Sequence, residues 1–234
     1  MIIKLSIPAV HAPNDPFLGY WGKQAFLGHF SDNPFVTTIA STYVRCVFAA
    51  REDYQSAAEH LKNYWEGDGN ALRVSELYRA ITRLESCITA MYLAVRALRQ
   101  LRKRRELTER ERAVICAKKA KPRFLGSDGD LLGQIRNKIQ HIEEELAEGK
   151  VSKDLPFMIV MTGPEVPVDD PRNPGQVLKT IDRLQVHKFE VRFAELAAWL
   201  GEMVDYVDKL HSLMPIEVNS VQGKVFAPLE VPPQ

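Results

Sequence analysis

The chain has 234 residues, is 45% hydrophobic and 26% charged, and carries a formal net charge of +1, which excludes a disordered or low-complexity polypeptide and leaves length enough for one good core or two small ones. Its three cysteines, Cys46, Cys87 and Cys116, are odd in number and widely spaced, which excludes a disulfide framework and a Cys-x-x-Cys zinc knuckle. Met1 to Pro16 lacks the basic start and apolar run of a signal peptide and no stretch approaches the ~20 apolar residues of a membrane span, so the chain is expected to be cytoplasmic, with reduced thiols and no membrane partner.

Residues 1–33 are expected to form an irregular arm, with Ile3, Leu5 and Ile7 alternating as an edge strand. Tyr20, Trp21, Phe26 and Phe30 are expected to cap a core from outside. Asp32-Asn33-Pro34 is a helix start, a side-chain cap followed by proline at the first helical position. Val36, Ala40, Tyr43, Val47, Ala50, Tyr54, Ala57, Leu61 and Tyr64 then recur at spacings of three and four. This is one long helix with one apolar stripe, closed by Gly67 and Gly69. A second helix is predicted from about Ala71 to Arg105 on Val74, Leu77, Ile81, Leu84, Ile88, Met91, Val95 and Leu98. The short connection makes the two an antiparallel hairpin. Glu85 and Arg96 flank this second stripe.

Between Arg96 and Arg123 stand twelve Lys or Arg against three Glu, so this segment carries +9 and the remainder of the chain −8. Such a block is either an electrostatic footprint for phosphate backbones or the solvated end of a helix with its loop. Thr108 with Glu111 fits a capping box for a helix to Lys121, closed by Pro122. A further helix is predicted from Gly126 to Gly149, with Ile135, Ile139, Ile142 and Leu146 as its core stripe. Residues 150–187 are expected to be an extended or β-hairpin insertion. A last helix from Lys188 to Met214 repeats Phe189, Phe193, Leu196, Leu200, Met203, Val207, Leu210 and Met214, either a bundle seam or a dimer contact. The tail, 215–234, is proline-rich. The fold class read from this order is all-α: an up-down bundle of four to five helices in a single domain over 1–234, with a small extended insertion before the last helix.

Within the helix from Gly126, the hexapeptide Arg136-Asn137-Lys138-Ile139-Gln140-His141 is the one place where a strong base, an amide and an imidazole crowd together. At about 100° per residue, with Arg136 at zero, the isoleucine stripe lies near −90°, Asn137 near 100° and His141 near 140°. The polar group therefore faces away from the protomer's own core. Its chemistry suits attack on a phosphodiester. A guanidinium pairs with phosphate oxygens and stabilises the added negative charge; an imidazole moves a proton near neutrality. With RNA, the adjacent 2′-hydroxyl is the nucleophile, so neither metal nor cofactor is called for. Cleavage wants both a base and an acid, and a symmetric homodimer juxtaposing two His141 side chains supplies both.

The string Ile135-Arg136-Asn137-x-x-x-His141 resembles the motif of the HEPN superfamily (higher eukaryotes and prokaryotes nucleotide-binding domains), in which an arginine and a polar residue are followed by a histidine. The resemblance implies a helical bundle and a metal-independent endoribonuclease with a composite site at a dimer interface. It implies catalytic roles for Arg136 and His141 and a supporting role for Asn137. Many members are toxins or defence proteins, which implies a neutralising antitoxin partner. One branch carries a tyrosine two residues after the histidine; that position here is Glu143.

The basic run Arg99, Arg102, Lys103, Arg104 and Arg105 is expected to guide the RNA backbone. The rival reading is a non-catalytic helical HEPN-like binding or scaffold protein, and a third is a small-ligand or nucleotide sensor on the same basic face. No glycine-rich phosphate loop or Gly-x-Ser-x-Gly elbow is present. Asp208-x-x-His211 is a lone pair at metal-like spacing, and no metal site is expected. His29, His60, His187 and His211 are read as surface or satisfied side chains.

Overall fold

A computed structural model describes residues 1–10, 15–26, 30–65, 73–117, 122–149, 159–169, 172–173 and 175–214. The chain is mainly helical, with two small three-stranded sheets. In order it runs β1 (Ile2–Leu5), α1 (Pro16–Phe26), α2 (Pro34–Trp65), α3 (Val74–Arg102), α4 (Glu109–Ile115), a 3₁₀ turn (Arg123–Leu125), α5 (Ser127–Gln140), α6 (Ile142–Ala147), β2 (Val160–Thr162), β3 (Glu165–Pro167), β4 (Val177–Ile181), β5 (Arg183–Val186), β6 (Phe189–Arg192) and α7 (Phe193–Leu213).

The α2–α3 hairpin is the spine. Asn33 caps α2 as its sequence suggests: its Oδ1 accepts from the Phe35 and Val36 amides at 2.9 and 3.3 Å. Val36, Ala40, Tyr43, Val47, Ala50, Tyr54, Ala57 and Leu61 are all buried, and they meet Leu84, Ile88, Met91, Val95 and Leu98 of α3. The apolar rhythm of α7 is also filled from within the chain: Phe193, Leu196, Leu200, Met203, Val207, Leu210 and Met214 are buried in this one copy. Its seam is thus a core seam. Buried tyrosines tie the layers, because a phenol inside a core must find an acceptor. Tyr43 donates to the Met203 carbonyl at 2.9 Å and Tyr206 to the Ile115 carbonyl at 2.6 Å.

The sheets come from segments that flank the helices. β1 runs parallel to β4, pairing Ile2 with Leu178 and Leu5 with Ile181, and β3 closes that sheet antiparallel to β4. The other sheet has the order β2-β5-β6, antiparallel throughout. Only Asp182 separates β4 from β5, so one run of chain passes from sheet to sheet. Opposite it, Gly163 and Pro164 separate β2 from β3, and a Cβ at Gly163 would lie 1.7 Å from the Thr180 carbonyl oxygen. The two backbones approach too closely at this crossing for any side chain at that position.

Several boundaries differ from the sequence reading. The N-terminal arm contains α1, whose Phe17 and Tyr20 are fully buried, and Phe30 joins them in the core; Phe26 is 82% exposed. Of the four aromatics expected to cap the core, Tyr20 and Phe30 instead form part of it, while Trp21 and Phe26 are exposed. The last helix begins at Phe193, because Phe189–Arg192 pairs with β5; the alternation of Phe189 and Val191 serves a strand as readily as a helix start. The long helix expected from Gly126 to Gly149 breaks at His141, with no proline or glycine in the local sequence to mark the place. The expected closure of α2 at Gly67 and Gly69 and the whole 215–234 tail lie outside the described residues.

Candidate functional site

The hexapeptide is positioned by α3. Arg99, near the end of α3, sends Nη2 to the Leu125 and Gly126 carbonyls at 3.3 Å each and to Asp130 Oδ1 at 2.8 Å. This clamp fixes the start of α5. Gly129 allows it: a Cβ there would stand 2.2 Å from the Phe124 carbonyl oxygen. From that point α5 runs back along α3. Gly133 faces Tyr92, with 3.2 Å from an imagined Cβ to the ring, and one turn later Arg136 lays its guanidinium over the same ring, 5.4 Å from its centre. Arg96 approaches that ring at 5.8 Å. Tyr92 thus gathers two guanidinium groups, which its electron-rich face attracts.

Arg136 is half-buried and only partly spent. Its Nη1 donates to the neighbouring Asn137 Oδ1 at 3.1 Å, while its Nε is buried and has no partner among the described residues. An orphaned buried donor costs on the order of 1–3 kcal/mol, so a native protein that keeps one invites a reason for it. Asn137 is exposed.

His141 is the last residue of α5 to keep the helical hydrogen bond, its amide donating to the Asn137 carbonyl at 3.0 Å. Its side chain is 53% exposed, and Nδ1 lies 2.8 Å from Glu144 Oε2 across the helix break. An ionised carboxylate only accepts, so Nδ1 carries the proton and Nε2 is left for other work. Ile135 is buried and Ile139 partly buried against the core. Arg136, Asn137 and His141 are thus held on one short segment, with Asn137 and His141 open to solvent as the helical arithmetic requires.

The basic run divides. Arg99 is spent on the clamp, and Arg102 Nη1 donates to the Ile115 carbonyl at 2.8 Å, where Tyr206 also ends. Both hold the fold. Lys103 and Arg105 are exposed and Arg104 is half-exposed, and the three side chains form no hydrogen bond or ion pair among the described residues. Of the five cations picked from the sequence, these three are the ones at liberty to meet a phosphate backbone.

The sequence reading passed over Tyr92. The signal was present: Tyr78, Glu85, Tyr92 and Arg99 stand seven apart and so share one face of α3. Asp208 and His211 form a loose pair at 3.9 Å, with the His211 ring packed on Gly19. Among the described residues no group of three or more His, Cys, Asp or Glu side chains is placed to hold a metal ion. No helix among them is long and apolar enough to cross a membrane. No protein-family model, no curated protein and no solved structure matches the chain.

Proposed function

We propose that the chain is a metal-independent endoribonuclease of HEPN type, a cytoplasmic helical-bundle protein that cleaves RNA at a composite site between two copies. The observation that carries this reading is the state of Arg136, whose guanidinium is fixed over Tyr92 with its Nε buried and unspent. In the reaction a His141 imidazole takes the proton of the 2′-hydroxyl. The 2′-oxygen forms a bond to phosphorus, the bond to the 5′-oxygen breaks, and the second copy's imidazolium protonates that leaving oxygen. The products are a 2′,3′-cyclic phosphate and a 5′-hydroxyl. Arg136 stabilises the charge that builds on the phosphoryl oxygens, and Asn137 and Tyr92 orient it. Glu144 holds the imidazole so that Nε2 faces outward, as a carboxylate does for many catalytic histidines. Lys103, Arg104 and Arg105 contribute salt-sensitive affinity for the RNA backbone. A neutralising antitoxin partner would cover the same outward strip.

The test is RNA cleavage in the presence of a chelator. The native protein is expected to cleave, and Arg136→Ala and His141→Ala to lose about 100-fold or more of that activity. Equal activity in all three, or none in the native protein, removes the reading. The alternative is a non-catalytic helical binding or scaffold protein. One observation favours it: His141 stands half in solvent and bonded to a single exposed carboxylate. It predicts that His141→Ala leaves RNA binding unchanged while no RNA is ever cut.

A further inference from the structure

A second histidine is built into a site of different character. His60 near the end of α2 and Glu76 at the start of α3 meet at 2.7 Å between Nδ1 and Oε2, with side chains only 22% and 13% exposed. Glu76 also accepts from Arg79 Nη1 at 2.8 Å. These bonds hold its carboxyl below the usual carboxylate value, the one from His60 most of all. The carboxylate is therefore ionised and can only accept, so Nδ1 of His60 carries the proton and Nε2 is unspent. The ring lines an open pocket of about 620 Å³ together with Tyr78, Arg79, Thr82 and Arg83.

The pocket's lining is rich in unspent donors. Arg83 gives Nη1 to Asp53 on α2 at 2.8 Å, and Arg79 gives Nη1 to Glu76. Each guanidinium keeps Nε and Nη2, since arginine offers five N–H groups in all. The two acids anchor the arginines and stop short of consuming them. Thr82 hydrogen-bonds back to the Tyr78 carbonyl at 3.1 Å, and the Tyr78 side chain, 57% exposed, has no partner among the described residues. Two anchored guanidiniums one turn apart suit an anion with several acceptor oxygens. An open aromatic ring beside them suits a planar group attached to that anion. The volume falls within the range of small-ligand pockets, about 300–1,000 Å³.

We infer that this pocket binds a phosphomonoester carrying an aromatic group, with Arg79 and Arg83 donating to the phosphate oxygens, His60 Nε2 accepting from the P–O–H of the monoanion and Tyr78 against the ring. The site is separate from the hexapeptide: Tyr78 and Tyr92 are fourteen residues apart on α3, roughly 20 Å along the helix axis. It does not depend on RNA cleavage.

The experiment is calorimetric titration of the full chain with 5′-AMP, with inorganic phosphate and with adenosine. AMP is expected to bind more tightly than phosphate, and adenosine not to bind over the same range. Arg79→Gln, at a side chain 63% exposed, should weaken AMP roughly tenfold without altering the fold. Tyr78→Leu should weaken AMP severalfold and leave inorganic phosphate unchanged. The phosphate's source is separated by comparing AMP with 5′-phosphorylated and 5′-hydroxyl oligonucleotides: a free nucleotide favours AMP, an RNA end favours the phosphorylated strand. Adenosine binding as well as AMP, or Arg79→Gln and Tyr78→Leu both binding AMP as the native chain does, overturns the inference. So does a native chain that binds no phosphomonoester at millimolar concentration.

Discussion

Among the described residues, two histidine–glutamate pairs have nearly equal length, 2.8 Å for His141–Glu144 and 2.7 Å for His60–Glu76, in opposite settings. The first lies at a helix break, with partners 53% and 73% exposed. The second bridges two long helices, with partners 22% and 13% exposed. Water and salt screen the first pair, so it adds little to stability. The second is shielded and cross-linked to Arg79, so its geometry is set before any ligand arrives. A site that is to be completed by a second chain gains from the first arrangement; a pocket complete within one chain gains from the second. Bond length alone separates nothing here, and environment separates everything.

The largest expected effect tests the exposed pair. Removing His141 should lower RNA cleavage by about 100-fold or more, the usual worth of a general acid–base group, with the melting temperature unchanged. Mixed dimers sharpen the claim. If two His141 rings meet in one site, equal amounts of native and His141→Ala chains should give only about a quarter of native activity, since one dimer in four is then fully native. Activity of one half would mean that each chain carries a complete site, and the exposed pair would then need no partner.

Tyr92 comes next. Replacing its ring with leucine removes the surface on which Arg136 lies, and such cation–π contacts contribute about 0.5–1 kcal/mol at exposed sites. A two- to fivefold fall in kcat with little change in KM is expected for Tyr92→Leu, by the usual conversion of free energy to rate, roughly tenfold per 1.4 kcal/mol. Tyr92→Phe keeps the ring face and should stay near native. A fall confined to KM would assign Tyr92 to binding substrate, not to orienting Arg136.

How far the sequence foretold these regions follows from the kind of signal each leaves. The α2–α3 hairpin, the Asn33 cap and the Thr108–Glu111 capping box were legible, because periodicity and caps are local. Asn137 and His141 were legible as outward-facing for the same reason, whereas Arg136 folds back over Tyr92 of α3 and is half-buried. The Arg99 clamp was not: a guanidinium reaching carbonyls more than twenty-five residues away looks, in sequence, like any member of a basic run. His60 was passed over as a satisfied side chain. It is satisfied, by Glu76 on the next helix, and that pairing is what leaves its other nitrogen poised. The β4–β5 crossing was hidden because it depends on Gly163 in the link between β2 and β3.

A smaller effect compares the two glutamates directly. Glu76→Gln should lower the melting temperature measurably, whereas Glu144→Gln should leave it within error. The sign with pH follows from the lowered Glu76 carboxyl, whose ionised form the His60 bond favours in the folded chain. That contribution is full above the ordinary carboxylate value and is lost as pH falls through the lowered one. The gap between native and Glu76→Gln should therefore hold at neutral pH and close in acid. A gap that stayed constant in acid would mean that the amide differs by packing and not by charge.

The smallest effect lies between the two regions. Glu85 sits seven residues from Tyr78 and seven from Tyr92 on the same face of α3, half-exposed, and partial burial alone pushes its carboxyl above the usual value of 4.5. Among the described residues no cation pairs with it to offset that cost. Its charged form is thus disfavoured by folding, the reverse of Glu76. Glu85→Gln should raise stability at neutral pH. The gain should shrink as pH falls through the raised value, and vanish below the ordinary one, where the carboxyl is protonated in both folded and unfolded chains. Urea unfolding of the two variants across this range gives curves of opposite sign against the native protein. If Glu85→Gln destabilises at neutral pH instead, the carboxylate has a cationic neighbour when the protein is assembled. The stretch of α3 between the pocket and the cleavage strip would then belong to the dimer contact.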